Sequence, residues 1–454
     1  MNLSAFKSYD VRGPVPEALD TDLARAIGLA YVAEFKARQV VIGRDIRHES
    51  EELATALAEG LVAGGADVLD IGLCGTEEVY FAAFSREAAG VDGGIMVTAS
   101  HNPKGHNGMK FVGRGARPIG RDTGLGAIRA RIEAVDLPLA DTPGVLRHHA
   151  DKSDYIAHLL GYVDVAHLPW LKLVADPGNG CAGPVVELLR PHLPFSIELI
   201  NGEPDGDFPN GVPNPLLPTM RDLTAGAVRA FKADLGIAWD GDFDRCFFFD
   251  ETGRFIEGYY LVGLLAESLL TKTPGAPVVH DPRLTWNTVA QVEAAGGKPV
   301  QSPTGHAFMK QAMRQADAIY GGEMSAHHYF REFGYCDSGM IPWLLVTELM
   351  GRTGKTLAEL VDARMAAFPC SGEINFRVVD TVEVLERIEA HYAGDHPAID
   401  RMDGFSAAFP DWRFNVRASN TEPLLRLNVE TRGDPDAVAR HVETLEALIG
   451  GERA

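Results

Sequence analysis

The chain has 454 residues, of which 46% are hydrophobic and 23% are charged. This length predicts roughly three or four domains rather than one core, and the composition fits globular domains and gives no reason to expect long disordered segments. The net charge of −21 at pH 7 disfavours nucleic acid or an anionic membrane as a partner, because like charges repel. An anionic substrate would therefore need a local cluster of basic side chains.

The five cysteines are scattered and form no CxxC pair, which is typical of free thiols in a reducing compartment. The N-terminal sequence MNLSAFKSYDVRG lacks the apolar run of a signal peptide. No segment reaches the ~20 apolar residues of a membrane span. We therefore expect a cytoplasmic protein. The sequence contains no signal for a stable oligomer, so we expect a monomer or a weak homo-oligomer.

The first third of the chain alternates short β-rich runs with amphipathic helical stretches. The predicted strands are VVIGRD, ADVLDIGL and GGIMVTAS, and the predicted helices lie near residues 51–62 and 77–87. This alternation predicts a mostly parallel sheet with helices on its faces. A polar stretch with prolines around residues 137–152 indicates the first domain boundary.

The same alternation then restarts twice, which predicts two more domains of the α/β class. The second round contains a strand at 171–175, the run FSIELI, a helix near 219–233 and the segment LGIAWDGDFDRCFFFD. The third round contains helices near 259–270, 285–295 and 307–316, the strand VVHD and a strand ending in YGGEMSAH.

The C-terminal segment differs, because its predicted strands EINFRVV, WRFNVRAS and PLLRLNVETR form an antiparallel pattern with helices near 382–393 and 434–448. We predict three similar α/β domains with mostly parallel sheets plus a C-terminal α+β domain. The expected ranges are residues 1–148, 149–253, 254–366 and 367–454.

A serine loop follows the apolar strand GIMV and has the sequence TASHNP at residues 98–103. In a parallel α/β sheet, ligands bind beyond the carboxyl ends of the strands, which is where Ser100 lies. A serine nucleophile needs a basic or metal-polarised neighbour, and His101, Lys104 and Lys110 are close in sequence. Taken alone, an ordinary strand-to-loop turn explains the motif equally well.

Three aspartates alternate in the loop DGDFDR at residues 240–245, directly after the strand LGIAW. Asp240, Asp242 and Asp244 can converge on one hard cation while the glycine between the first two lets the backbone wrap tightly. We interpret the loop as a magnesium or calcium site. An EF-hand is disfavoured because its sixth position would hold arginine and an apolar run follows. Three solvated turn aspartates are the other alternative, which self-repulsion disfavours.

Two further loops are rich in polar side chains. GGEMSAHH at residues 321–328 combines acceptors and donors that suit sugar hydroxyls, and His327 can titrate near neutral pH; alone, it is more typical of a polar connection. RASNTEP at 417–423, with Arg426 beyond it, suits a phosphate dianion, and a hairpin connection is an equal alternative.

Three lesser motifs contain arginine or glycine beside predicted strands: YDVRG at 9–13, GRDIR at 43–47 and GNG at 178–180. An arginine in such a position serves either phosphate binding or an ion pair, and we assign a site role only to Arg12. The GNG segment lacks the lysine of a P-loop and is interpreted as a structural turn.

Together these segments resemble the α-D-phosphohexomutase superfamily, and within it the bacterial phosphomannomutase/phosphoglucomutase family. YDVRG, TASHNP, DGDFDR, GEMSAH and RASNTEP occur in the family's order and at its approximate spacings along essentially the whole chain. The resemblance implies four domains around a central cleft, each contributing one loop. It also implies Mg²⁺, a phosphosugar substrate, and a hexose 1,6-bisphosphate as intermediate and activator. Ala326 departs from the commoner glycine, which leaves the balance between glucose and mannose open.

The resemblance assigns roles to individual residues. Ser100 matches the phosphorylated serine, which holds magnesium together with Asp240, Asp242 and Asp244. Residues matching the surroundings of the transfer site are Arg12, His101, Lys110 and Arg245. Expected substrate contacts, with Arg426 added from the fourth loop, are Tyr9, Arg283, His306, Glu323, Ser325, His327, Arg417, Ser419, Asn420, Thr421 and Arg426.

The predicted reaction interconverts mannose 6-phosphate and mannose 1-phosphate, with the glucose phosphates as further substrates and GDP-mannose biosynthesis as the pathway. Lys110 and His327 are the expected general acid and base. A metal-dependent serine phosphatase would use the same serine and aspartates but release free phosphate. A calcium-binding interaction module would use only the aspartate loop, and a haloacid-dehalogenase-like phosphatase would use Asp240 as nucleophile.

Overall fold

The computed structural model describes residues 1–418 and 424–454. The chain forms two compact units. The first unit comprises Met1–Phe255 and His327–Gly354, and the second comprises Ile256–Ala326 and Lys355–Ala454.

The N-terminal sheet of the first unit has six strands in the order β1-β5-β4-β2-β3-β6. The strands are β1 (Val11–Pro14), β2 (Gln39–Arg44), β3 (Asp67–Leu73), β4 (Gly93–Val97), β5 (His106–Gly113) and β6 (Leu146–His148). The helices are α1 (Thr21–Phe35), α2 (Ser50–Ala63), α3 (Thr76–Ser85) and α4 (Leu125–Glu133). Strands β4, β2, β3 and β6 are parallel, whereas β5 runs antiparallel to both β1 and β4.

The second sheet of the first unit contains β10, β9, β7 and β8 as neighbours in that order. The elements are α5 (Ser153–Leu160), β7 (Lys172–Asp176), α6 (Ala182–Leu189), β8 (Ser196–Leu199), α7 (Asp222–Phe231), β9 (Leu235–Trp239), β10 (Cys246–Phe249) and β11 (Phe255–Ile256). Strand β7 is parallel to β8 and β9, and β9 and β10 form an antiparallel hairpin. Every residue of β9 and β10 is buried, so this hairpin holds its connecting loop in a fixed position.

The second unit begins with a parallel three-stranded arrangement in which β12 lies between β13 and β14. Its elements are α8 (Gly258–Lys272), β12 (Pro277–His280), α9 (Trp286–Ala294), β13 (Lys298–Gln301), α10 (His306–Ala316) and β14 (Tyr320–Gly322). The chain then returns to the first unit for β15 (His328–Phe330), β16 (Cys336–Asp337) and α11 (Ile341–Thr353).

The C-terminal sheet of the second unit is antiparallel throughout, in the order β18-β19-β20-β21-β17-β22. Its elements are α12 (Leu357–Ala367), β17 (Cys370–Arg377), α13 (Thr381–Tyr392), β18 (Ala398–Asp400), β19 (Phe405–Ala408), β20 (Trp412–Ala418), β21 (Leu425–Thr431), α14 (Pro435–Ile449) and β22 (Glu452–Arg453). Buried apolar side chains of β17, β20 and β21 pack against α13 and α14.

Local sequence signals explain where the helices of the second unit begin and end. Thr356 accepts a hydrogen bond from the backbone N–H of Glu359, whose carboxylate accepts from the Thr356 N–H, forming a capping box. Asp434 caps α14, which has proline in its first turn and ends at Gly450 in the left-handed conformation. These caps fix the start of α12 and both ends of α14, and α14 packs against the C-terminal sheet.

The predicted fold class is confirmed: three α/β domains precede a C-terminal α+β domain. The sheets are mixed, because β5 runs opposite to its neighbours β1 and β4 in the first sheet and β10 runs opposite to β9 in the second. The central-cleft arrangement and the domain ranges stay predictions. Strand β6 lies within the polar stretch that we interpreted as the first boundary, and the pattern of alternation gave no sign of it.

Candidate functional site

Ser100 lies just beyond the end of β4, at the carboxyl edge of the parallel part of the first sheet. Its φ angle of 50° lies in the left-handed region, which is uncommon for serine. The backbone N–H of Ser100 donates to Thr98 Oγ1 at 2.8 Å. Its hydroxyl donates to Asp240 Oδ2 at 2.8 Å, so the serine loop and the aspartate loop meet as predicted.

Arg47 holds the serine loop through hydrogen bonds to backbone carbonyl oxygens. Its guanidinium donates to the carbonyl oxygens of Ser100 at 2.8 Å, Asn102 at 2.6 Å, Pro103 at 3.0 Å and His106 at 3.0 Å. Asp45 balances the charge with an oxygen 3.4 Å from Arg47 Nε. Of the arginines in the lesser motifs, only Arg12 was predicted to have a site role, yet Arg47 of the GRDIR motif binds the backbone around the serine.

Asp240, Asp242 and Asp244 form the acid cluster, and each carboxylate is buried. One oxygen from each of them lies within 4.8 Å of the others. A Cβ at position 241 would lie 2.6 Å from the carbonyl oxygen of Ser100, so only glycine permits this approach of the two loops. Thr76 Oγ1 donates to Asp242 Oδ2 at 2.5 Å. The three aspartates of the DGDFDR loop thus lie close together, and their role as metal ligands stays a prediction.

Two cations balance the acid cluster. Lys110 Nζ lies 2.7 Å from Asp242 Oδ2 and 2.5 Å from Asp244 Oδ2, and Arg245 Nη2 lies 2.6 Å from Asp240 Oδ2. Burial alone lowers the pKa of Lys110, but Asp242 and Asp244 outweigh it and leave the pKa above its ordinary value. Burial raises the pKa of Asp244, yet Lys110 and His327 lower it to about 2. At neutral pH, Lys110 is therefore an ammonium and Asp244 a carboxylate.

The acid cluster fits a hard divalent cation. Within residues 1–418 and 424–454, Asp242 Oδ1 and Asp244 Oδ1 are buried and accept no hydrogen bond. An acceptor oxygen buried in this way is costly unless a ligand satisfies it. Three carboxylates with a neighbouring hydroxyl are the oxygen donors that magnesium prefers. The residues present therefore suit Mg²⁺.

The other predicted residues of the transfer site also lie around Ser100. His101 Nδ1 accepts a hydrogen bond from Arg245 Nη2 at 2.5 Å and lies 3.1 Å from Ser100 Oγ, so this nitrogen carries no proton. Arg12 donates to Asn102 Oδ1 at 2.8 Å and pairs with Asp10 at 2.9 Å. Tyr9 is half-buried in the segment that precedes β1.

His327 belongs to the first unit, whereas Glu323 and Ser325 of the same sequence motif belong to the second. Its Nδ1 lies 3.2 Å from Asp337 Oδ2 and 3.8 Å from Asp244 Oδ1. All three residues were predicted to lie in one sugar-binding loop. The structure puts His327 beside the acid cluster, with Asp337 as a partner that no motif indicated.

Glu77 anchors the segment that follows Asp337. Its carboxylate accepts hydrogen bonds from Tyr155 Oη, Ser338 Oγ and the backbone N–H groups of Gly339 and Met340, at 2.5 to 3.1 Å. Burial raises the pKa of Glu77 to about 8, although these donors act against burial. Since Thr76 contacts the acid cluster, this part of α3 links the segment after β16 to the acid cluster.

A second group of charged residues lies in the second unit. Arg283 is fully buried, and its Nη2 lies 2.7 Å from Asp281 Oδ2 and 3.2 Å from Ser325 Oγ. Glu323 lies 3.7 Å from the same nitrogen, and its Oε1 also accepts from the Gly305 N–H at 2.9 Å. The predicted residues Arg283, Glu323 and Ser325 are thus neighbours.

Arg283, Arg417 and Arg426 form the arginine cluster, and all three contact Glu373. Glu373 Oε2 lies 3.2 Å from Arg283 Nη1 and 3.5 Å from Arg417 Nη2, and Oε1 lies 3.2 Å from Arg426 Nη1. Burial raises the pKa of Glu373, but the three arginines lower it below its ordinary value, so the group is ionised at neutral pH. No motif in the sequence indicated Glu373.

The remaining predicted substrate contacts are His306, Ser419, Asn420 and Thr421. His306 is the first residue of α10. Ser419, Asn420 and Thr421 lie outside the described residues. Among the described helices, none is both long and apolar enough to cross a bilayer.

Four family models match this chain in succession. They are the phosphoglucomutase/phosphomannomutase alpha/beta/alpha domains I, II and III and the C-terminal domain, at residues 3–138, 153–253, 257–368 and 373–448. The chain belongs to the phosphoglucomutase/phosphomannomutase family. The predicted family and the predicted enzyme class, a phosphohexomutase, are confirmed.

Known members of this family match nearly the whole chain. A protein of Xanthomonas campestris pv. campestris named phosphohexose mutases is 59% identical over 452 residues, which cover 99% of this chain and 100% of that protein. A Salmonella typhimurium phosphomannomutase is 57% identical over 454 residues, covering 98% and 99%. The crystal structure of a phosphoglucomutase/phosphomannomutase family protein from Burkholderia thailandensis superposes with a TM-score of 0.89 at 32% identity, covering 100% and 99%.

Proposed function

We propose that this phosphohexomutase interconverts mannose 6-phosphate and mannose 1-phosphate, and also the corresponding glucose phosphates. The phosphoryl group would pass through Ser100, with a hexose 1,6-bisphosphate as intermediate and activator. The observation that carries the proposal is the contact between the Ser100 hydroxyl and Asp240 at a cluster of three buried aspartates. The relatives named phosphomannomutase support mannose as the sugar.

The acid cluster and the phosphorylated Ser100 would hold Mg²⁺. When bound, the cation supplies positive charge that neutralises the phosphoryl oxygens as the group is transferred. Arg245 and Arg12 add fixed positive charge beside the serine, because each is already oriented by a hydrogen bond to His101 or Asn102. Positioning and charge neutralisation are the main requirements of phosphoryl transfer.

The transfer step breaks the bond between phosphorus and Ser100 Oγ and forms one between phosphorus and a sugar hydroxyl oxygen. The proton of that hydroxyl must leave, and Ser100 Oγ must gain a proton as its bond to phosphorus breaks. In the second transfer Ser100 Oγ loses this proton as it takes up the other phosphoryl group, and the sugar oxygen that loses the phosphoryl group gains one. We assign these proton transfers to Lys110 and His327. Lys110 is held as an ammonium by two aspartates, which suits the donating half of the cycle.

The arginine cluster would bind the phosphate that does not react, because guanidinium groups match phosphate oxygens in bidentate geometry. Glu323 and Ser325 would contact sugar hydroxyls, and Tyr9, His306, Ser419, Asn420 and Thr421 are further proposed contacts. After the first transfer the bisphosphate turns end for end and presents its other phosphate to Ser100. The product mannose 1-phosphate would serve GDP-mannose biosynthesis in the cytoplasm, with the enzyme acting as a monomer or a weak homo-oligomer.

Intact-mass analysis and a coupled isomerisation assay test the proposal together. Freshly purified enzyme, or enzyme incubated with glucose 1,6-bisphosphate, is expected to carry one phosphoryl group that maps to Ser100. Ser100→Ala is expected to lose the adduct and to lower mutase turnover by at least about 10⁴-fold, since no nucleophile remains. Ser196→Ala, which removes an exposed hydroxyl on β8, serves as the control.

Three results would contradict the mutase proposal. Release of free phosphate instead of isomerised sugar would indicate a serine phosphatase. An adduct on Asp240 would indicate a haloacid-dehalogenase-like phosphatase. Calcium binding without sugar-phosphate binding would indicate an interaction module.

A further inference from the structure

Glu373 is placed where three arginine side chains converge. Glu373 lies on β17, which pairs with β21, and Arg417 on β20 is the direct register partner of Arg426 on β21. Asn375 is the register partner of Arg426, so Glu373, two residues earlier, projects to the same face of the sheet. The sheet therefore directs Arg417, Arg426 and Glu373 to one side.

Like charges at directly opposite positions of two strands repel each other, so Arg417 and Arg426 need a shared anion. Glu373 supplies it, since each of its oxygens faces one of these two guanidinium groups. Arg283 has Asp281 at 2.7 Å as a carboxylate partner of its own. Glu373 is therefore a carboxylate that all three members of the arginine cluster share.

A carboxylate in this position also opposes an incoming phosphate. The guanidinium groups that would bind phosphate already form ion pairs with Glu373, and the side chain of Glu373 is 21% exposed, so a ligand can approach it. A dianion bound to the same arginines would lie a few ångströms from a fixed negative charge. Coulomb repulsion at that distance lowers affinity even at an effective dielectric constant of about 20.

A mutase whose bisphosphate intermediate must turn between the two transfers needs a limit on the affinity of the arginine cluster for phosphate. The phosphate that does not react must be held during transfer, yet the same contacts must break before the intermediate can turn. Binding energy that is equal for both orientations slows turning without helping the chemical step. An arginine cluster without a counter-anion would hold the intermediate in one orientation.

We infer that Glu373 is a positioning residue that lowers the affinity of the arginine cluster for phosphate, so that the hexose 1,6-bisphosphate intermediate can turn within each catalytic cycle. This inference rests on the proposed function. It assigns Glu373 a role in the turning step, which is separate from transfer at Ser100.

The test replaces Glu373 by glutamine, which keeps the shape and one acceptor oxygen but removes the charge. Calorimetric titration of Glu373→Gln with inorganic phosphate and with glucose 1,6-bisphosphate is expected to give dissociation constants about tenfold lower than those of the unsubstituted chain. In steady state, KM and the bisphosphate concentration needed for half activation are expected to fall about tenfold. The kcat is expected to fall several-fold, because turning becomes slower.

Matched variants separate this effect from a change in stability. Glu383→Gln removes an exposed carboxylate on α13, 3.4 Å from Arg387, and is expected to leave all constants unchanged. Glu373→Asp keeps the charge and is expected to bind phosphate as the unsubstituted chain does. In an Arg417→Ala background, Glu373→Gln should gain much less affinity, because the gain requires the arginine cluster.

Unchanged or weaker phosphate binding by a folded Glu373→Gln, as judged by thermal unfolding, would overturn the inference and leave Glu373 as a scaffold for the arginines. A rise in KM at constant kcat would do the same. The proposed function fails separately, through absence of isomerisation by the unsubstituted chain. In that case the titration with inorganic phosphate still measures how Glu373 affects anion affinity.

Discussion

The two charged clusters of this enzyme are opposite in sign but similar in construction. In the first unit, three aspartates are joined by Lys110, whose ammonium contacts two of them. In the second unit, three arginines are joined by Glu373, whose carboxylate contacts all of them. Each cluster is thus bridged by a side chain whose charge has the sign that the ligand would bring, and Arg245 adds a second positive charge beside Asp240. In both clusters, an opposite charge allows side chains of like charge to stay buried together before a ligand binds.

The two countercharges differ in how easily they can move. Lys110 ends a flexible four-carbon stem, so its ammonium can withdraw from the acid cluster and still reach a reacting oxygen. Glu373 has a shorter side chain on a strand and has three partners that fix it. We therefore expect the acid cluster to exchange its countercharge for a metal ion, and the arginine cluster to keep its countercharge while phosphate binds.

The largest expected effect comes from weakening the acid cluster. Asp242→Asn removes the carboxylate that contacts both Lys110 and Thr76, and its buried Oδ1 is one of the oxygens offered to a cation. We expect kcat to fall about 10³-fold and the magnesium concentration for half activation to rise, because the lost ligand contributed several kcal/mol of charge neutralisation. Activity measured across a magnesium titration, with chelator-treated enzyme as the zero point, gives both quantities.

Asp222→Asn is the matched control, because it neutralises an exposed acid on α7 outside the acid cluster. Its magnesium dependence should equal that of the unsubstituted enzyme. Normal turnover by Asp242→Asn at low magnesium would contradict the assignment of the acid cluster as the metal site. Of the two charged clusters, only the arginine cluster would then be a candidate ligand site.

A smaller effect, and a different one, is expected from the arginine cluster. Arg417→Ala removes one guanidinium group and is expected to raise KM about 30- to 150-fold, equivalent to about 2–3 kcal/mol of charge-assisted hydrogen bonding, with a smaller change in kcat. Steady-state kinetics with mannose 1-phosphate and glucose 1-phosphate measure the two constants. A loss in kcat at constant KM would show that this arginine acts in transfer instead of binding.

Arg440→Ala removes an exposed guanidinium on α14 that pairs with Asp434 at 3.0 Å, and it should leave KM unchanged. With this control, Asp242→Asn and Arg417→Ala distinguish an effect on kcat from an effect on KM. Equal effects of both variants on KM would show that the two clusters do not have separate roles.

The sequence predicted those parts of the fold and site that depend on local pattern. Helices near 51–62, 259–270 and 307–316 appear at Ser50–Ala63, Gly258–Lys272 and His306–Ala316. The first and third have an amphipathic period, whereas the second is a nearly continuous apolar run that is long enough for a buried helix. Ser100 and the acid cluster were identifiable because nucleophile and ligand residues follow buried strands. Strand β6 was missed because it is short and fully exposed.

Glu373, Asp337 and Arg47 were not identifiable because their roles depend on contacts between distant segments. Glu373 is a single acid in an alternating strand, and only the pairing of β17 with β21 brings it to the arginines. Asp337 meets His327 across a tight antiparallel connection between β15 and β16. Arg47 lies in a turn whose sequence is equally typical of an ordinary ion pair, and only the fold of the serine loop shows what it binds.

The smallest of these effects tests a third use of arginine, in which the guanidinium organises backbone instead of binding a ligand. Arg47→Ala leaves four carbonyl oxygens of the serine loop without their donor. We expect kcat to fall about 10- to 30-fold at nearly constant KM, because Ser100 no longer keeps its left-handed backbone and its hydroxyl is displaced from Asp240. The rate at which glucose 1,6-bisphosphate phosphorylates Ser100, followed by intact mass, should fall in parallel.

Chemical rescue distinguishes this positioning role from general destabilisation. Guanidinium ion at low millimolar concentration can enter the space left by the side chain and donate to the same carbonyls, so it should restore much of the phosphorylation rate of Arg47→Ala. Arg44→Ala, which alters the other arginine of the GRDIR motif, should show neither the loss nor the rescue. If guanidinium fails to restore a folded Arg47→Ala enzyme, the loop does not depend on this donor, and the left-handed conformation of Ser100 must be held by its contacts with Thr98 and Asp240.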